Sequence, residues 1–203
     1  MYNLELAINL DNWRIFSGRK KDVRFHPIQK KVWARDNCTC QYCGFQAKEY
    51  QEVVNLDGDY RNNQLQNLMT SCVFCTQVAF LSVIGTGYGG GKLIYLPEMS
   101  QSELNSFCHV IFCAMTNKTG YLETAQTAYR NFRFRTKPVE AKFGAGTSNP
   151  SVFCQLLLNN DTFNPQLVHK IFKDIRLLPT YAKFKQELET WAEAAVEELS
   201  QDG

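Results

Sequence analysis

Two C-x-x-C pairs constrain this chain more than any other feature of its sequence. Cys40 and Cys43 form the first pair, and Cys72 and Cys75 form the second. Each pair places two thiolates at one turn of the backbone, and two such turns supply the four soft ligands of a closed tetrahedral zinc site. The sequence therefore predicts one structural zinc ion held by these four cysteines.

The other four of the eight cysteines are interpreted differently. Cys38 stands two residues before Cys40 and competes with it as a ligand, although the two-residue gap of a knuckle favours Cys40. Cys108, Cys113 and Cys154 are scattered over apolar stretches, where cysteine usually acts as a small buried hydrophobic residue. We expect none of these three to bind metal.

The composition predicts a cytoplasmic globular protein. The chain has 203 residues, of which 44% are hydrophobic, and its formal net charge is +2. The first 14 residues carry no secretory signal pattern, and no apolar run is long enough to span a bilayer. Metal ligation therefore explains the cysteines better than disulfides do. The small net charge does not favour a nucleic-acid partner.

The pattern of elements predicts an α+β chain that is mostly α-helical. Residues 1–27 are predicted to form a strand or hairpin, because LELAINL alternates between apolar and polar residues. Residues 28–84 are predicted to form the metal module, with a β-hairpin that turns at DGDYRNN and a short apolar helix after Cys75. Residues 85–203 are predicted to form a helical body packed on that module.

Local signals place the helices of this body. Ser100 and Glu103 form a capping box ahead of an apolar stripe, and a second helix is predicted at about 121–134. A stretch rich in breakers then runs from 138 to 150, and Asn149 and Pro150 are expected to start a helix that ends near Leu158. Pro165 and Pro179 are predicted to open two more helices, and the last of them repeats apolar residues at steps of three or four: Phe184, Leu188, Trp191, Ala195 and Leu199.

The spacing between the cysteine pairs indicates a family. Residues 44–71 separate the pairs, 28 residues where a compact zinc ribbon has about 15 to 20. The stretches RDNCTCQYCG, VVNLDGDYRNNQLQNL and SCVFCT resemble the HNH endonuclease module, whose ββα centre lies between two such knuckles. The resemblance covers roughly residues 28–80 and implies the same ββα fold here.

The residues that carry catalysis in HNH endonucleases are replaced in this chain. The family pattern has a His-His or Asp-His pair at the end of the first strand, an Asn farther on, and a His or Asn after the last cysteine. Those places hold Val54 and Asn55, then Asn67, then Thr76. A nuclease needs a base to activate water and ligands for a divalent ion, so we expect no catalysis.

Three further motifs contain residue types that occur in ligand-binding sites. Asp57 and Asp59 can ligate a hard cation, but D-G-D is more typical of a solvated turn. The run GTGYGGG at 85–91 does not fit the phosphate-loop pattern and predicts a mobile hinge. Basic and aromatic residues alternate at 129–137, as on a surface for nucleic acid or an acidic peptide, although a solvated helix end explains them more simply.

A cytosolic chain of this length, with an inactive HNH-like zinc module followed by helices, resembles a subunit family of the Dot/Icm type IVB secretion system. In that family the subunit belongs to the coupling complex and binds the cytoplasmic tail of the membrane-anchored coupling ATPase DotL. The resemblance implies a non-catalytic adaptor for effector export, held at the inner membrane by its partner. A zinc-dependent nucleic-acid-binding protein and an HNH-type endonuclease remain the alternatives.

Overall fold

The computed structural model describes residues 1–8, 10–159 and 165–201, and within these ranges the chain is an α+β protein with more helix than strand. Its strands are β1 (Gln51–Asn55), β2 (Leu68–Cys72), β3 (Gly91–Tyr95) and β4 (Ile175–Pro179). Its helices are α1 (Leu10–Lys20), α2 (His26–Arg35), α3 (Val73–Thr76), α4 (Gln101–Thr116), α5 (Leu122–Phe134), α6 (Thr136–Phe143), α7 (Pro150–Leu158), α8 (Pro165–Phe172) and α9 (Lys185–Gln201). Short 3-10 helices cover Leu65–Asn67, Gln77–Val83 and Tyr181–Lys183.

The four strands form two separate antiparallel pairs. β1 and β2 pair from Gln51 opposite Cys72 to Asn55 opposite Leu68, which confirms the hairpin predicted between the cysteine pairs. β3 and β4 pair Gly91 with Pro179, and more than 75 residues of chain separate these strands. This second pair is a long-range contact, so no local signal in the sequence indicates it.

The strand or hairpin predicted at the N-terminus is wrong. Residues 1–8 form no strand, and the residues that follow form α1. The extended segment is tied to the metal module instead, because Tyr2 N donates to Gln41 O and Ala7 N donates to Val78 O. Trp13 and Phe16 lie three residues apart on α1, and both rings pack against Phe80. Tertiary packing therefore outweighs the loose alternation of this stretch.

The predicted helix starts are largely confirmed. The Ser100 hydroxyl accepts from the backbone of Glu103, whose carboxylate accepts from Ser100 N, so the capping box at the start of α4 is complete. The Asn149 side chain accepts from Ser151 N at the start of α7. α5 lies where it was predicted, and α8 begins at Pro165. Polar side chains thus set the starts of α4 and α7 locally.

Two predictions that rested on proline are wrong. Pro138 does not break the chain, because it lies in the first turn of α6, where the missing amide hydrogen costs nothing. Pro179 does not open an α-helix, because it ends β4. A short 3-10 helix follows at Tyr181–Lys183, and α9 begins only at Lys185. The apolar stripe of α9 is nevertheless present, since Phe184, Leu188 and Trp191 are buried; the side chain of Leu199 lies outside the described residues.

The glycine run at 85–91 is packed at its C-terminal end, where a hinge was expected. Gly91 already belongs to β3, and Thr180 N donates to Gly90 O. A Cβ atom at Gly91 would lie 2.6 Å from Leu177 Cδ1 and 3.0 Å from Leu178 O. Glycine is therefore required here because a neighbouring strand approaches closely.

A continuous apolar core joins the first half of the chain to the second. It includes Leu4, Phe74, Leu93, Phe112 and Phe184, all buried. Two smaller clusters lie on either face of the β1–β2 hairpin, one under α1 and one under α2. Among the described helices, none is both long and apolar enough to cross a membrane.

Arg19 of α1 is buried against the β1–β2 hairpin. Its guanidinium donates to Asn55 Oδ1 at 2.6 Å, to Asn63 Oδ1 at 2.9 Å and to Val53 O at 2.7 Å, and it lies 4.4 Å from the centre of the Phe25 ring. Burial lowers the pKa of Arg19 to about 10, so the group still carries its charge at neutral pH. One buried cation therefore joins α1 to the turn of the hairpin.

We predict that Arg19→Met lowers the free energy of unfolding by about 3 kcal/mol, because the buried oxygens of Asn55 and Val53 and the partly buried oxygen of Asn63 lose their donor. Arg24→Met is the matched control, since Arg24 is exposed and pairs only with Asp22. This control is expected to unfold at the wild-type denaturant concentration. Equal midpoints for the two variants in urea unfolding would contradict the role given to Arg19.

Candidate metal centre

The first cysteine pair lies in a tight turn between α2 and β1. Gly44 N donates to Cys40 O at 2.9 Å, and Cys40 N donates to Phe45 O at 2.8 Å. Gly44 has φ +78°, a conformation that glycine adopts without strain. Gln41 N donates to Thr70 O, which fixes this turn to β2. The backbone thus holds both thiols on one side of the turn.

The second pair lies where β2 passes into α3. Cys72 is the last residue of the strand, and Cys75 lies three residues later in the helical turn. Residues three apart in a helical turn face the same side, so Cys75 is brought back over Cys72. Both residues are fully buried.

The structure brings the four cysteines together. The Sγ atoms of Cys40, Cys43, Cys72 and Cys75 all lie within 4.8 Å of one another, and Cys43 Sγ is 3.7 Å from Cys72 Sγ. All four residues are buried. The four thiols lie close enough to hold a metal ion, and four sulfur ligands are typical of closed structural sites.

Cys38 does not belong to this cluster. It is partly exposed and has φ +50°, and among the described residues the only metal-ligand group is the four-cysteine cluster. Cys108 and Cys154 are buried, as predicted for small hydrophobic residues, and Cys113 is partly exposed. Burial raises the pKa of Cys154 to about 12, so that this thiol stays protonated.

The electrostatics of the cluster favour a cation. Burial raises the pKa of the Cys72 and Cys75 thiols, whereas hydrogen bonds from the neighbouring thiols lower the pKa of Cys40. In the absence of a cation, the four thiols therefore do not all ionise together. All four sulfurs can be thiolates together only if a bound metal neutralises them.

Two polar side chains of α4 contact the sulfur atoms of the second cysteine pair. Asn105 Nδ2 donates to Cys75 Sγ at 3.2 Å, and His109 Nε2 lies 3.3 Å from Cys72 Sγ. Gln101 lies one turn before Asn105 and donates to its Oδ1 at 2.9 Å. These three residues form the α4 polar ladder. Hydrogen bonds to thiolates of this kind orient metal ligands and reduce their negative charge.

His109 is enclosed by aromatic rings. The Phe45 ring stacks on it with 3.6 Å between the ring centres, and Phe74 stacks on it at 4.3 Å. Trp191 lies edge-on at 5.2 Å. Burial lowers the pKa of His109 to about 3, so the imidazole is neutral near pH 7.

The α4 polar ladder was not predicted from the sequence. Only the apolar stripe of α4 was predicted there, and His109 was given no role. A signal was present, because Gln101, Asn105 and His109 recur every four residues beside that stripe. Polar residues at helical spacing along a buried face need partners, and here the partners are sulfur atoms and the backbone of Leu177.

The residues that the sequence comparison placed at HNH catalytic positions pack in the interior or form internal hydrogen bonds. Val54 is buried in the cluster under α1, and Thr76 Oγ1 donates to Ser71 Oγ at 2.9 Å. Asn55 Nδ2 donates to Asp59 O and Asn62 O, while its Oδ1 accepts from Arg19. These three side chains are buried rather than presented to a substrate.

The two acidic residues of the D-G-D turn also serve the turn itself. Asp57 accepts from Asp59 N and from the side chains of Asn62 and Asn67. These hydrogen bonds lower the pKa of Asp57. Asn67 Oδ1 in turn accepts from Asp57 N. Side-chain hydrogen bonds of this kind stabilise turns rich in Asp and Asn.

Comparison with known proteins identifies the family. No model of a protein family matches the chain. The chain is 53% identical over 198 residues to the type 4 apparatus protein DotN of Legionella pneumophila subsp. pneumophila, strain Philadelphia 1. The alignment covers 97% of this chain and 92% of the relative, so the similarity includes both the cysteine module and the helices. The family resemblance stated from the sequence is thereby confirmed, and the chain belongs to the DotN (IcmJ) family.

Proposed function

We propose that this chain is a non-catalytic, zinc-containing adaptor of a type IVB secretion coupling complex, which binds the cytoplasmic tail of the coupling ATPase DotL. The observation that carries the proposal is the 53% identity, along nearly the whole chain, to a type 4 apparatus protein. Identity of this extent preserves the fold and most surfaces, so a role in the secretion apparatus follows for this chain. The adaptor acts in the cytoplasm and reaches the inner membrane through its partner.

The chemistry of the cysteine cluster supports zinc as the metal. Four soft thiolates at tetrahedral spacing favour zinc over magnesium or calcium, which take oxygen ligands. All four ligands come from the protein and are buried, so no position is left for a substrate or water. Zinc here would therefore stabilise the fold, and Asn105 and His109 would support its ligands from α4.

The hydrogen bonds within the hairpin support the proposal that the module is non-catalytic. An active HNH centre would need a side chain able to take a proton from water at the end of β1. Asn55 is there instead, and an amide does not act as a base at neutral pH. Its oxygen also accepts from the Arg19 guanidinium, which brings a fixed positive charge to the place where a catalytic metal would be needed.

The charge distribution favours a protein partner over nucleic acid. Arg130 and Arg133 are exposed on α5, but Arg135 pairs with Glu98 at 2.5 Å and Lys137 lies over the Phe134 ring. The basic stretch at 129–137 is therefore short and partly neutralised. Nucleic-acid binding generally requires a broader positive surface.

The first prediction concerns the metal. Protein purified without chelator is expected to contain one zinc per chain by elemental analysis. Cys72→Ser is expected to lose the zinc and to unfold at lower temperature, because structural zinc contributes on the order of 10 kcal/mol to small zinc domains. Cys154→Ser is the matched control, since Cys154 is equally buried but lies outside the cluster. Zinc-free wild-type protein, or equal zinc loss in both variants, would contradict the assignment.

The second prediction concerns catalysis. Supercoiled plasmid DNA incubated with the purified protein and Mg²⁺ or Mn²⁺ is expected to remain intact, because no base is available at Asn55. A sample with chelator serves as the control for contaminating nucleases. Metal-dependent cleavage that Asn55→Ala abolishes, in a variant that keeps its circular dichroism spectrum, would replace the adaptor proposal with an endonuclease.

The third prediction tests the adaptor role directly. The purified protein is expected to bind the purified cytoplasmic tail of DotL at 150 mM salt and to retain binding at 500 mM, because the apolar part of the contact is little affected by screening. Duplex DNA of mixed sequence is the comparison ligand in the same assay. DNA binding that falls steeply with salt, together with no tail binding, would instead identify a nucleic-acid module.

A further inference from the structure

A groove of about 380 Å³ lies directly beside the cysteine cluster. One wall is the segment Phe45–Glu49, which follows the first knuckle, and the other wall is α9 from Leu188 to Glu198. His109 and Cys113 of α4 also line it. Its apolar lining residues include Phe45, Ala47, Trp191 and Ala195. This size suits one large apolar side chain with its flanking residues.

The walls of this groove are held in place by the metal centre and by α9. Phe45 O accepts from Cys40 N, so one wall is fixed to a cysteine of the cluster. Trp191 Nε1 donates to Glu49 O at 3.0 Å, which links the two walls. The Phe45 ring stacks on His109, whose Nε2 faces Cys72. The groove is therefore preformed, which reduces the entropy lost when a partner binds.

The groove combines this apolar surface with one buried polar atom. His109 Nδ1 is buried and makes no hydrogen bond within the part of the chain that is described. A neutral imidazole whose Nε2 donates to a thiolate leaves Nδ1 as an acceptor. A partner that donates a hydrogen bond to His109 Nδ1 would offset the free-energy cost of leaving that buried atom unpaired.

The rim of the groove is acidic. Glu49, Glu197 and Glu198 line it together with a single cation, Lys48. All four side chains are exposed, and none of them forms an ion pair with another described residue. Three carboxylates against one ammonium group give the rim a net negative charge, which attracts a basic partner.

We propose that this groove is the docking site for a basic amphipathic segment of the partner, which inserts one large apolar side chain between Phe45 and Ala195 and places Lys or Arg residues along Glu197 and Glu198. The inference rests on the proposed function, since it takes the segment to lie in the cytoplasmic tail of the coupling ATPase. A buried apolar anchor within a charged rim is the usual distribution of binding energy in such interfaces.

The test fills the groove with a tryptophan side chain and compares the effect on tail binding with that of the same substitution in another groove of the protein. Ala195→Trp occupies the apolar centre and is expected to weaken binding of the purified DotL tail at least about tenfold in isothermal titration calorimetry, because it excludes the anchor side chain. Ala128→Trp is the matched control. Ala128 is also half-buried and lines a shallow groove on α5, far along the chain from the cysteine cluster. Its affinity is expected to stay within about twofold of wild type.

A double substitution that reverses the charge of the rim tests the same site if Ala195→Trp disturbs the fold. Glu197→Lys with Glu198→Lys reverses the rim, and both side chains are exposed. Affinity is expected to fall about tenfold at low salt and less at high salt, since the rim acts through charge. Glu189→Lys with Glu193→Lys is the control, with the same charge change on exposed residues of α9 that do not line the groove.

The outcomes separate this inference from the proposed function. Tail binding that is weakened only by the groove variants supports both. Tail binding that Ala195→Trp and the Glu197/Glu198 reversal leave unchanged overturns the docking site and leaves the adaptor role standing. Failure of the wild-type protein to bind the tail overturns the adaptor role and the docking site together.

Discussion

The convergence of four buried thiols is the constraint on which most of this structure depends. Cys40 and Cys43 lie before the β1–β2 hairpin, and Cys72 and Cys75 lie after it, so their meeting closes the hairpin at its base. The same cluster positions Phe45 on one side and the start of α3 on the other. Thiols this close and this buried repel one another as thiolates, so the arrangement is stable in its charged form only with a bound cation.

The α4 polar ladder extends the influence of this cluster into the second half of the chain. Gln101 donates to Leu177 O and accepts from Leu177 N, so the first rung holds β4. Asn105 and His109 are the next rungs and reach the sulfurs. A single helix face therefore connects the β3–β4 pair to the cysteines. Buried polar networks of this kind favour one packing arrangement over its alternatives.

The polar groups of the hairpin between the cysteine pairs are engaged with one another. Asn55, Asn62, Asn67 and Asp57 hydrogen-bond across the turn, and Arg19 closes the network from α1. These contacts make the hairpin a rigid support. In the proposed function, the groove walls beside the cysteine cluster are likewise fixed before a partner binds, because Cys40 N donates to Phe45 O and Trp191 Nε1 donates to Glu49 O. A preformed surface gains affinity in this way.

Features that depend on neighbours in the chain were predictable from the sequence. The capping box at Ser100 and the turn at 57–63 join residues that meet through local geometry, so the start of α4 and the β1–β2 hairpin could be predicted. The two C-x-x-C knuckles are also local motifs, and their meeting could be predicted because a closed zinc site needs four ligands. The remaining features arise from tertiary contacts. The helix at the N-terminus, the pairing of β3 with β4 and the approach of His109 to Cys72 join residues tens of positions apart. Such contacts form because they bury apolar surface and satisfy polar groups in the complete fold, and no local pattern encodes that balance.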